Sequence, residues 1–271
     1  MRKSNKYTLA ALIVLLAILA ATRSGVQAAP AELSPITPGE APAATKRVAI
    51  VIDDFGNRMS GTEQMMEMPV PITVAIMPFM PTTKSDAELA QKAGHEVIVH
   101  MPMEPLRGKK SWLGPGAIMT AMSDNEIRRK VNEAIDSVPH AIGMNNHMGS
   151  KATTDPRVAR IVLEVCKERG LFFLDSRTSY FSLMKKIGQE VGVPVVENQL
   201  FLDDTVSQVH VKRQLRKILT HLEGANQCIA IGHVGGSGKT TASALRESIP
   251  ELSKQFEFVK LSTLVPRLLT R

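Results

Sequence analysis

The stretch Arg47–Gly56 constrains the fold more than any other part of the chain. Within it, the apolar residues Val48 to Ile52 run directly into Asp53 and Asp54. A short, uninterrupted apolar run that ends in turn-forming residues is typical of a strand buried on both faces. Such strands belong to parallel sheets, which carry their chemistry at the carboxyl ends of the strands. The two acids are therefore candidates for a functional site, and a turn that begins at Asp54 is an equally ordinary interpretation.

Apolar runs and helical patterns alternate along the rest of the chain. Seven further runs are predicted to be strands: Ile72–Met77, Glu96–His100, Ala141–Asn145, Leu171–Leu174, Pro194–Glu197, Cys228–Gly232 and Phe256–Leu261. A capping box at Ser123 and Glu126 and the pair Asp155–Pro156 mark two helix starts. Seven to eight strands that alternate with helices predict one α/β domain with a mostly parallel sheet, closed or nearly closed as a β/α barrel.

The first 46 residues are predicted to lie outside this domain. Three basic residues precede an uncharged apolar run from Thr8 to Ala21, and a small-residue cleavage pattern follows, so residues 1–28 are typical of a secretory signal peptide. The run is short for a membrane span, and an uncleaved anchor is the less favoured alternative. Residues 29–46 are rich in proline and alanine and are predicted to be a flexible linker, which leaves 47–271 as the domain.

Export to the periplasm, the cell envelope or the medium changes how the charge is interpreted. The formal charge of +7 (33 basic and 26 acidic side chains) falls to +3 once the four basic residues of segment 1–28 are removed. No basic stripe is interleaved with aromatic residues, so a nucleic-acid partner is not expected, nor is a stable membrane span after cleavage. Cys166 and Cys228 could pair or remain two buried free thiols, and neither has a C-x-x-C partner.

Polar side chains of catalytic and metal-binding types follow several predicted strands. At the strand ends lie His100 for the third strand, Asn145, Asn146 and His147 for the fourth, Asp175 for the fifth and His233 for the seventh. Because the carboxyl ends of barrel strands share one mouth, these residues are expected to meet Asp53 and Asp54 there. Taken singly, a histidine is more often a packing or turn residue. Together, one carboxylate and two histidines suit a divalent metal such as Zn²⁺, with a second carboxylate as base and a further histidine as acid.

Five blocks in order along the chain carry a family resemblance. They are Ile52–Gly56, Gly94–Pro105, Gly143–Ser150, Phe173–Thr178 and Ile231–His233. Together these blocks resemble the divergent polysaccharide deacetylase family, a remote branch of the metal-dependent polysaccharide deacetylases. The resemblance extends from Arg47 to the C-terminus. It implies a deformed β/α barrel, one zinc site and removal of N-acetyl or O-acetyl groups from a polysaccharide such as peptidoglycan or a chitin-like glycan.

The resemblance also implies a role for each matching residue. Asp53 resembles the catalytic base that takes a proton from water, and Asp54 resembles the metal-binding acid. His100 lies where the first metal histidine belongs. His233 lies where the histidine that protonates the leaving amine belongs.

One position departs from the pattern of the superfamily. Its main branch has a second metal histidine four residues after the first, and this chain has Glu104 there. His147, from the next strand, is therefore expected to be the third ligand, with Glu104 as the alternative. Asp175 is expected to orient a histidine through a hydrogen bond, or else to be a strand-end turn residue.

A second motif indicates a different function. Gly232–Thr240 resembles a phosphate-binding P-loop and lies between a predicted strand and a helical segment. It departs from the P-loop pattern because that pattern requires glycine where this chain has His233. A P-loop nucleotide-binding protein is therefore a remote alternative. An anion-binding nest of Gly235, Gly236 and Gly238 is another.

A non-catalytic envelope protein that binds a glycan or a protein partner with the same barrel is the stronger alternative. Only 4% of the residues are aromatic, which is poor for a cleft that stacks sugars. Trp112, in the long connection between the third and fourth predicted strands, is the single obvious platform. Long loops in such folds are usually functional, so this connection is expected to form one wall of the cleft.

Overall fold

Nine parallel strands form the sheet at the centre of the computed structural model, which describes residues 45–266. The strands are β1 (Arg47–Phe55), β2 (Thr73–Ile76), β3 (Glu96–Met103), β4 (Ala141–Met148), β5 (Phe172–Asp175), β6 (Val195–Glu197), β7 (Leu200–Phe201), β8 (Gln227–His233) and β9 (Glu257–Phe258). Their order is β6-β5-β4-β3-β2-β1-β8-β7, and β9 pairs with the start of β1. The predicted signal peptide and nearly all of the predicted linker lie outside the described residues.

Helices connect these strands. They are α1 (Thr62–Met66), α2 (Thr83–Lys92), α3 (Asp124–Ser137), α4 (Pro156–Glu168), α5 (Met184–Val191), α6 (Gln208–His221) and α7 (Gly238–Leu252). Short 3₁₀ helices lie at Lys110–Trp112, Ala152–Thr154 and Leu261–Leu264. The side chains of Ser123 and Asp155 accept hydrogen bonds from the first turns of α3 and α4, so both predicted helix starts are confirmed.

The sheet curls until its two edges nearly meet, which confirms the predicted deformed β/α barrel. The edge strands β6 and β7 are consecutive in sequence and are joined by Asn198 and Gln199. The N–H of Asn198 donates to the carbonyl of Asp175, at the end of β5, and the N–H of Gln199 donates to the carbonyl of Ile229 in β8. The connection between the edge strands thus bridges the gap in the barrel.

Several strands have other ends than predicted, with β3 reaching Met103 and β4 reaching Met148, and two further parts of the sheet differ from the prediction. The strand β7 was not predicted, because a two-residue strand is too short to show a pattern. The strand predicted at Phe256–Leu261 is only Glu257–Phe258, and the chain then forms the 3₁₀ helix Leu261–Leu264.

Alternate residues of each strand face two different hydrophobic cores. In β1, Ile50 and Ile52 belong to the larger core, whose other members include residues of the helices, whereas Val51 faces the barrel interior. The interior core includes Ile98 of β3, Leu174 of β5 and Ile231 of β8. The next inward positions toward the carboxyl ends of these four strands are Asp53, His100, Ser176 and His233. The strand period therefore stacks a polar layer on top of the apolar interior.

Cys166 and Cys228 are both buried and unpaired, on α4 and β8. Burial raises the pKa of each thiol to about 12. These two cysteines therefore behave as small core residues rather than as nucleophiles. Among residues 45–266, no helix has the length and apolar character needed to cross a bilayer.

Candidate metal centre

A bulge near the end of β1 turns Asp53 and Asp54 toward the same cavity. After Ile52, the next three residues of β1 span the length of two residues of β2. Asp54 has a φ of 71°, in the left-handed region that costs a non-glycine residue about 1–2 kcal/mol. In a regular strand these two neighbours would point to opposite faces. The bulge explains how both carboxylates reach the mouth, since bulges commonly re-aim side chains beside functional sites.

The cavity at the mouth measures about 220 Å³. Its lining includes Asp53, Asp54, His100, His147 and His233, which are all the predicted site residues except Asp175. The pairing of the strands explains this convergence. Asp53 and His233 are register partners on β1 and β8, and His100 is the register partner of Asn145 on β3 and β4.

Three side chains in this cavity form a cluster that could hold a metal ion. The Oδ1 atom of Asp54 lies 3.3 Å from Nε2 of His100 and 3.1 Å from Nδ1 of His147. The two histidine nitrogens lie 3.1 Å apart. One carboxylate oxygen and two imidazole nitrogens therefore meet at a single point.

The outer hydrogen bonds of the two rings decide which nitrogens face that point. Nδ1 of His100 lies 2.7 Å from Oδ1 of Asn145, and Nε2 of His147 lies 3.0 Å from the backbone carbonyl of Trp112. Both partners are acceptors, so each ring donates outward and, when neutral, turns an unprotonated nitrogen toward the cluster. Asn145 is oriented in turn because its NH₂ group donates to Oδ1 of Asp53 at 2.9 Å.

This donor set fits a divalent cation such as zinc. Oδ1 of Asp54 is buried and has no hydrogen-bond partner within the described residues. When both rings are neutral with their outer nitrogens protonated, three lone pairs face one another at 3.1–3.3 Å and repel unless a positive charge joins them. A carboxylate and two imidazoles are also the donors of catalytic zinc sites, which keep a further position open for water or substrate.

The negative charge around His100 also favours a bound cation. Burial acts to lower the pKa of His100, but the facing carboxylates of Asp53 and Asp54 outweigh burial and raise it. Burial acts to raise the pKa of Asp54, but His100 and His147 hold it well below its usual range. The cluster therefore favours a positive charge at its centre.

Glu104 is engaged elsewhere. Its Oε2 accepts hydrogen bonds from the backbone N–H and the hydroxyl of Thr120 at 2.6 and 2.7 Å, and its Oε1 accepts from Lys151 at 2.8 Å. Glu104 thus ties the long loop after β3 to the loop after β4. Of the two alternatives for the third ligand, the structure brings His147 to the cluster and leaves Glu104 outside it.

Asp203 holds His233, a further residue in the lining of the cavity. Oδ1 of Asp203 accepts from Nδ1 of His233 at 2.8 Å, and Oδ2 accepts from the backbone N–H of the same residue at 2.9 Å. Burial acts to lower the pKa of His233, but the hydrogen bond to Asp203 and the negative charge of Asp53 raise it to about 9. At neutral pH the imidazole therefore favours its protonated form, and Nε2–H has no hydrogen-bond partner among residues 45–266, so it is available as a proton donor.

Asp53 is buried beside both the Asp-His-His cluster and His233. It is 2% exposed, accepts from Asn145, and has its Oδ2 3.7 Å from Nε2 of His100. Burial raises the pKa of this carboxyl, and the histidines only partly oppose the effect. A carboxylate with a raised pKa is a stronger base than an exposed one.

The expectation that Asp175 orients a histidine is not met. Asp175 occupies the helix-facing side of β5, like Phe173, and its Oδ1 accepts from the backbone N–H of Arg177 at 2.8 Å. The inward neighbour Ser176 lines the cavity instead. Asp203 has the role predicted for Asp175. The sequence did carry a signal for it, because Asp203 follows the apolar run Leu200–Leu202 just as Asp53 follows the run in β1.

The carboxylate of Asp203 also explains the P-loop-like stretch. Its Oδ2 accepts hydrogen bonds from the hydroxyls of Ser237 and Thr241 at 2.9 and 2.7 Å, at the start of α7. An anion of the protein itself therefore lies where a P-loop would bind phosphate. A Cβ on Gly238 would lie 2.0 Å from the carbonyl oxygen of Ser60, so the close packing of α7 on the loop after β1 requires this glycine.

Fold and site together define a class, a β/α-barrel protein with an Asp-His-His cluster that shares one cavity with a buried carboxylate and a further histidine. The family model described as divergent polysaccharide deacetylase matches residues 50–265. The chain belongs to this family, which confirms the resemblance found in the sequence.

Two bacterial proteins are similar to most of the chain. It is 34% identical over 224 residues to the uncharacterized protein YibQ of Escherichia coli K12, covering 83% of this chain and 69% of that protein. It is 35% identical over 221 residues to an uncharacterized protein of Haemophilus influenzae, covering 82% and 77%. A crystal structure of an uncharacterized Agrobacterium tumefaciens C58 protein superposes with a TM-score of 0.77 at 21% identity, covering 83% of this chain and 92% of that one. This last likeness supports the fold alone.

Proposed function

We propose that this chain is an exported, metal-dependent deacetylase that removes N-acetyl or O-acetyl groups from a cell-envelope or extracellular polysaccharide. The observation that carries the proposal is the meeting of three ligand atoms, on Asp54, His100 and His147, in one cavity with Asp53 and His233. Membership of the family supports a polysaccharide substrate. The basic and apolar N-terminal pattern supports export.

Asp54, His100 and His147 would hold the metal, with zinc favoured by the mixed carboxylate and imidazole donors. When bound, the metal supplies a Lewis acid that polarises the acetyl carbonyl and lowers the pKa of water. The hydrogen bonds from His100 to Asn145 and from His147 to Trp112 keep both rings in the tautomer that binding needs.

Asp53 is placed to act as the base. Its carboxylate lies beside His100 without belonging to the three-atom cluster, and the NH₂ group of Asn145 holds it in place. It would take the proton from the water that attacks the acetyl carbonyl carbon. Its raised pKa brings it closer to the working pH, where proton transfer is most effective.

His233, which lines the same cavity, is placed to act as the acid. Asp203 holds Nδ1–H, so the proton that His233 gives to the leaving amine is the one on Nε2. The pKa of Asp203 is lowered, because its hydrogen bonds from His233 and Thr241 outweigh burial, so this carboxylate stays ionised behind the imidazolium. The lowered pKa of Asp203 and the raised pKa of His233 together favour a carboxylate next to an imidazolium at neutral pH.

Acetyl release from zinc-loaded protein tests the proposal. Peptidoglycan, chitin oligomers and an acetylated exopolysaccharide are incubated with the wild type and with Asp53→Asn, and acetate and new amines are measured. The wild type should release acetate, and Asp53→Asn should bind zinc normally but react about 10²–10⁴-fold more slowly. Zinc bound by the wild type without acetate release from any of these glycans would overturn the proposal and favour a non-catalytic binding protein.

A further inference from the structure

Exposed apolar side chains are concentrated at one end of the barrel. Nine large hydrophobic side chains are exposed among the described residues, and seven of them lie on the segments that follow the carboxyl ends of strands. These seven, called here the mouth rim, are Phe79, Leu106, Trp112, Tyr180, Phe181, Val206 and Val209. The remaining two, Leu89 and Ile142, lie in the middle of α2 and near the start of β4. Scattered exposed apolar residues are ordinary, but their collection around one opening indicates an interaction surface.

The two most exposed residues of the mouth rim lie outside the lining of the catalytic cavity. Tyr180 and Phe181 are adjacent residues between β5 and α5, and they are 92% and 80% exposed. Neither belongs to the lining of the cavity, which reaches only as far as Thr178 on this segment. Side chains that line a substrate cleft are partly covered by its walls, whereas these two stand free of the surrounding residues.

The same segments carry unpaired positive charge. Arg58, Arg107 and Lys109 are exposed and have no ion-pair partner within residues 45–266, and Lys109 lies 5.8 Å from the centre of the Trp112 ring. Glu63, in the first turn of α1, is exposed without an ion-pair partner among the described residues, but four other acidic residues of these segments are engaged. Glu104 pairs with Lys151, Asp155 caps α4, Asp203 holds His233 and Asp204 pairs with His210. The rim therefore combines exposed apolar side chains with unpaired cations.

We propose that the mouth rim docks on an anionic lipid surface. Trp and Tyr settle at the interface between water and lipid, and exposed Lys and Arg are attracted to anionic headgroups. Binding of a soluble neutral glycan would explain fewer of these exposed residues than lipid binding does. Leu106, Val206 and Val209 offer no flat ring for a sugar to stack on, and a neutral sugar makes no use of the unpaired cations.

Docking in this way turns the open cavity toward the bilayer. Combined with the proposed deacetylation, it names glycans attached to membrane lipids as the substrates that the site would meet. That consequence rests on the proposed function, whereas the docking itself requires neither metal nor catalysis.

Flotation with vesicles tests the docking. The compact unit Ala44–Arg271 is used, because the apolar run Thr8 to Ala21 would itself enter lipid. The vesicles are phosphatidylcholine alone and phosphatidylcholine with phosphatidylglycerol. The wild-type unit should float with the anionic vesicles, and the double variant Tyr180→Ser, Phe181→Ser should bind at least ten-fold more weakly. Leu89→Ser, which removes an exposed apolar side chain outside the rim, should bind as the wild type does.

Further variants separate this proposal from the proposed function. Arg107→Glu with Lys109→Glu should weaken binding to anionic vesicles, and Asp54→Ala should leave it unchanged. A wild type that does not float, or a Tyr180, Phe181 variant that floats fully, would overturn the docking. A third result would also overturn the docking: the wild type binds soluble chitin oligomers but no vesicles, and the Tyr180, Phe181 variant no longer binds the oligomers. The rim would then be a glycan-binding surface.

Discussion

Asp203 accepts two hydrogen bonds from His233, one from its backbone N–H at 2.9 Å and one from its ring Nδ1 at 2.8 Å. The backbone bond fixes where the residue lies, and the ring bond fixes which nitrogen faces the cavity. Because Asp203 is itself held by two hydroxyls at the start of α7, the proton donor of the site is built into the packing of β7, β8 and α7.

Replacing Asp203 by Asn should move the alkaline limb of the pH–rate profile to lower pH. The wild type should lose kcat/KM as pH rises through about 9, where His233 gives up its proton. Without the negative partner the imidazole loses its proton earlier, so activity should fall at neutral pH and recover toward acid. Asp175→Asn is the matched control, since Asp175 lies outside the cavity, and its profile should keep the wild-type limb. A limb unchanged in Asp203→Asn would rule out His233 as the acid.

The charge on His233 should also appear in the stability of the protein. Its folded-state pKa of about 9 exceeds the ordinary value of 6.5, so protonation stabilises the folded state. That contribution is fully present below pH 6.5 and is lost as pH rises to about 9. Urea unfolding of the metal-free wild type between these pH values should show decreasing stability, and Asp203→Asn should show a shallower decrease. Equal slopes in the two proteins would contradict this account.

Asn145 should matter for metal binding although it is not a ligand. It is fully buried and links His100 to Asp53 through the two ends of its amide. Asn145→Ala should weaken zinc binding about 10–100-fold, because His100 loses the acceptor that fixes its tautomer. Competition with a chelating dye measures the Kd. Ser176→Ala removes a neighbour that contacts Asn145 but not His100, and it should bind zinc as the wild type does.

Gly238 should be required for stability rather than for chemistry. A methyl group there would collide with the carbonyl oxygen of Ser60, so Gly238→Ala should destabilise the protein by about 1–3 kcal/mol in urea unfolding. Gly236→Ala is the control, because a Cβ at position 236 meets nothing within 4 Å. Equal stability of the two variants would show that the loop after β1 adapts without strain.

Much of the fold was predictable because its strands are buried on both faces and appear as unbroken apolar runs. The strand β7 was not, since Leu200–Phe201 is too short for any period to show. The failure to predict β7 also affected the prediction of the site. Because β7 was not predicted, the short apolar run Leu200–Leu202 before Asp203 was not interpreted as a strand, and the role of Asp203 was assigned to Asp175.

The site itself was predictable in its members but not in its geometry. Strand ends identified Asp53, His100 and His233 because alternate residues of parallel strands meet at the mouth. The bulge that brings Asp54 to the same side cannot be inferred from the residues, since a regular strand would point it away. The choice between His147 and Glu104 depended on Thr120 and Lys151, which are distant in sequence and engage Glu104 only in the folded chain.

The zinc content of the purified protein tests the central claim most directly. It is measured by mass spectrometry after zinc is added and excess zinc removed, for the wild type, Asp54→Ala, His147→Ala and Glu104→Gln. The account predicts about one zinc ion per chain in the wild type and in Glu104→Gln, and loss of zinc in the other two. No zinc in the wild type, or zinc retained in His147→Ala and lost in Glu104→Gln, would contradict it.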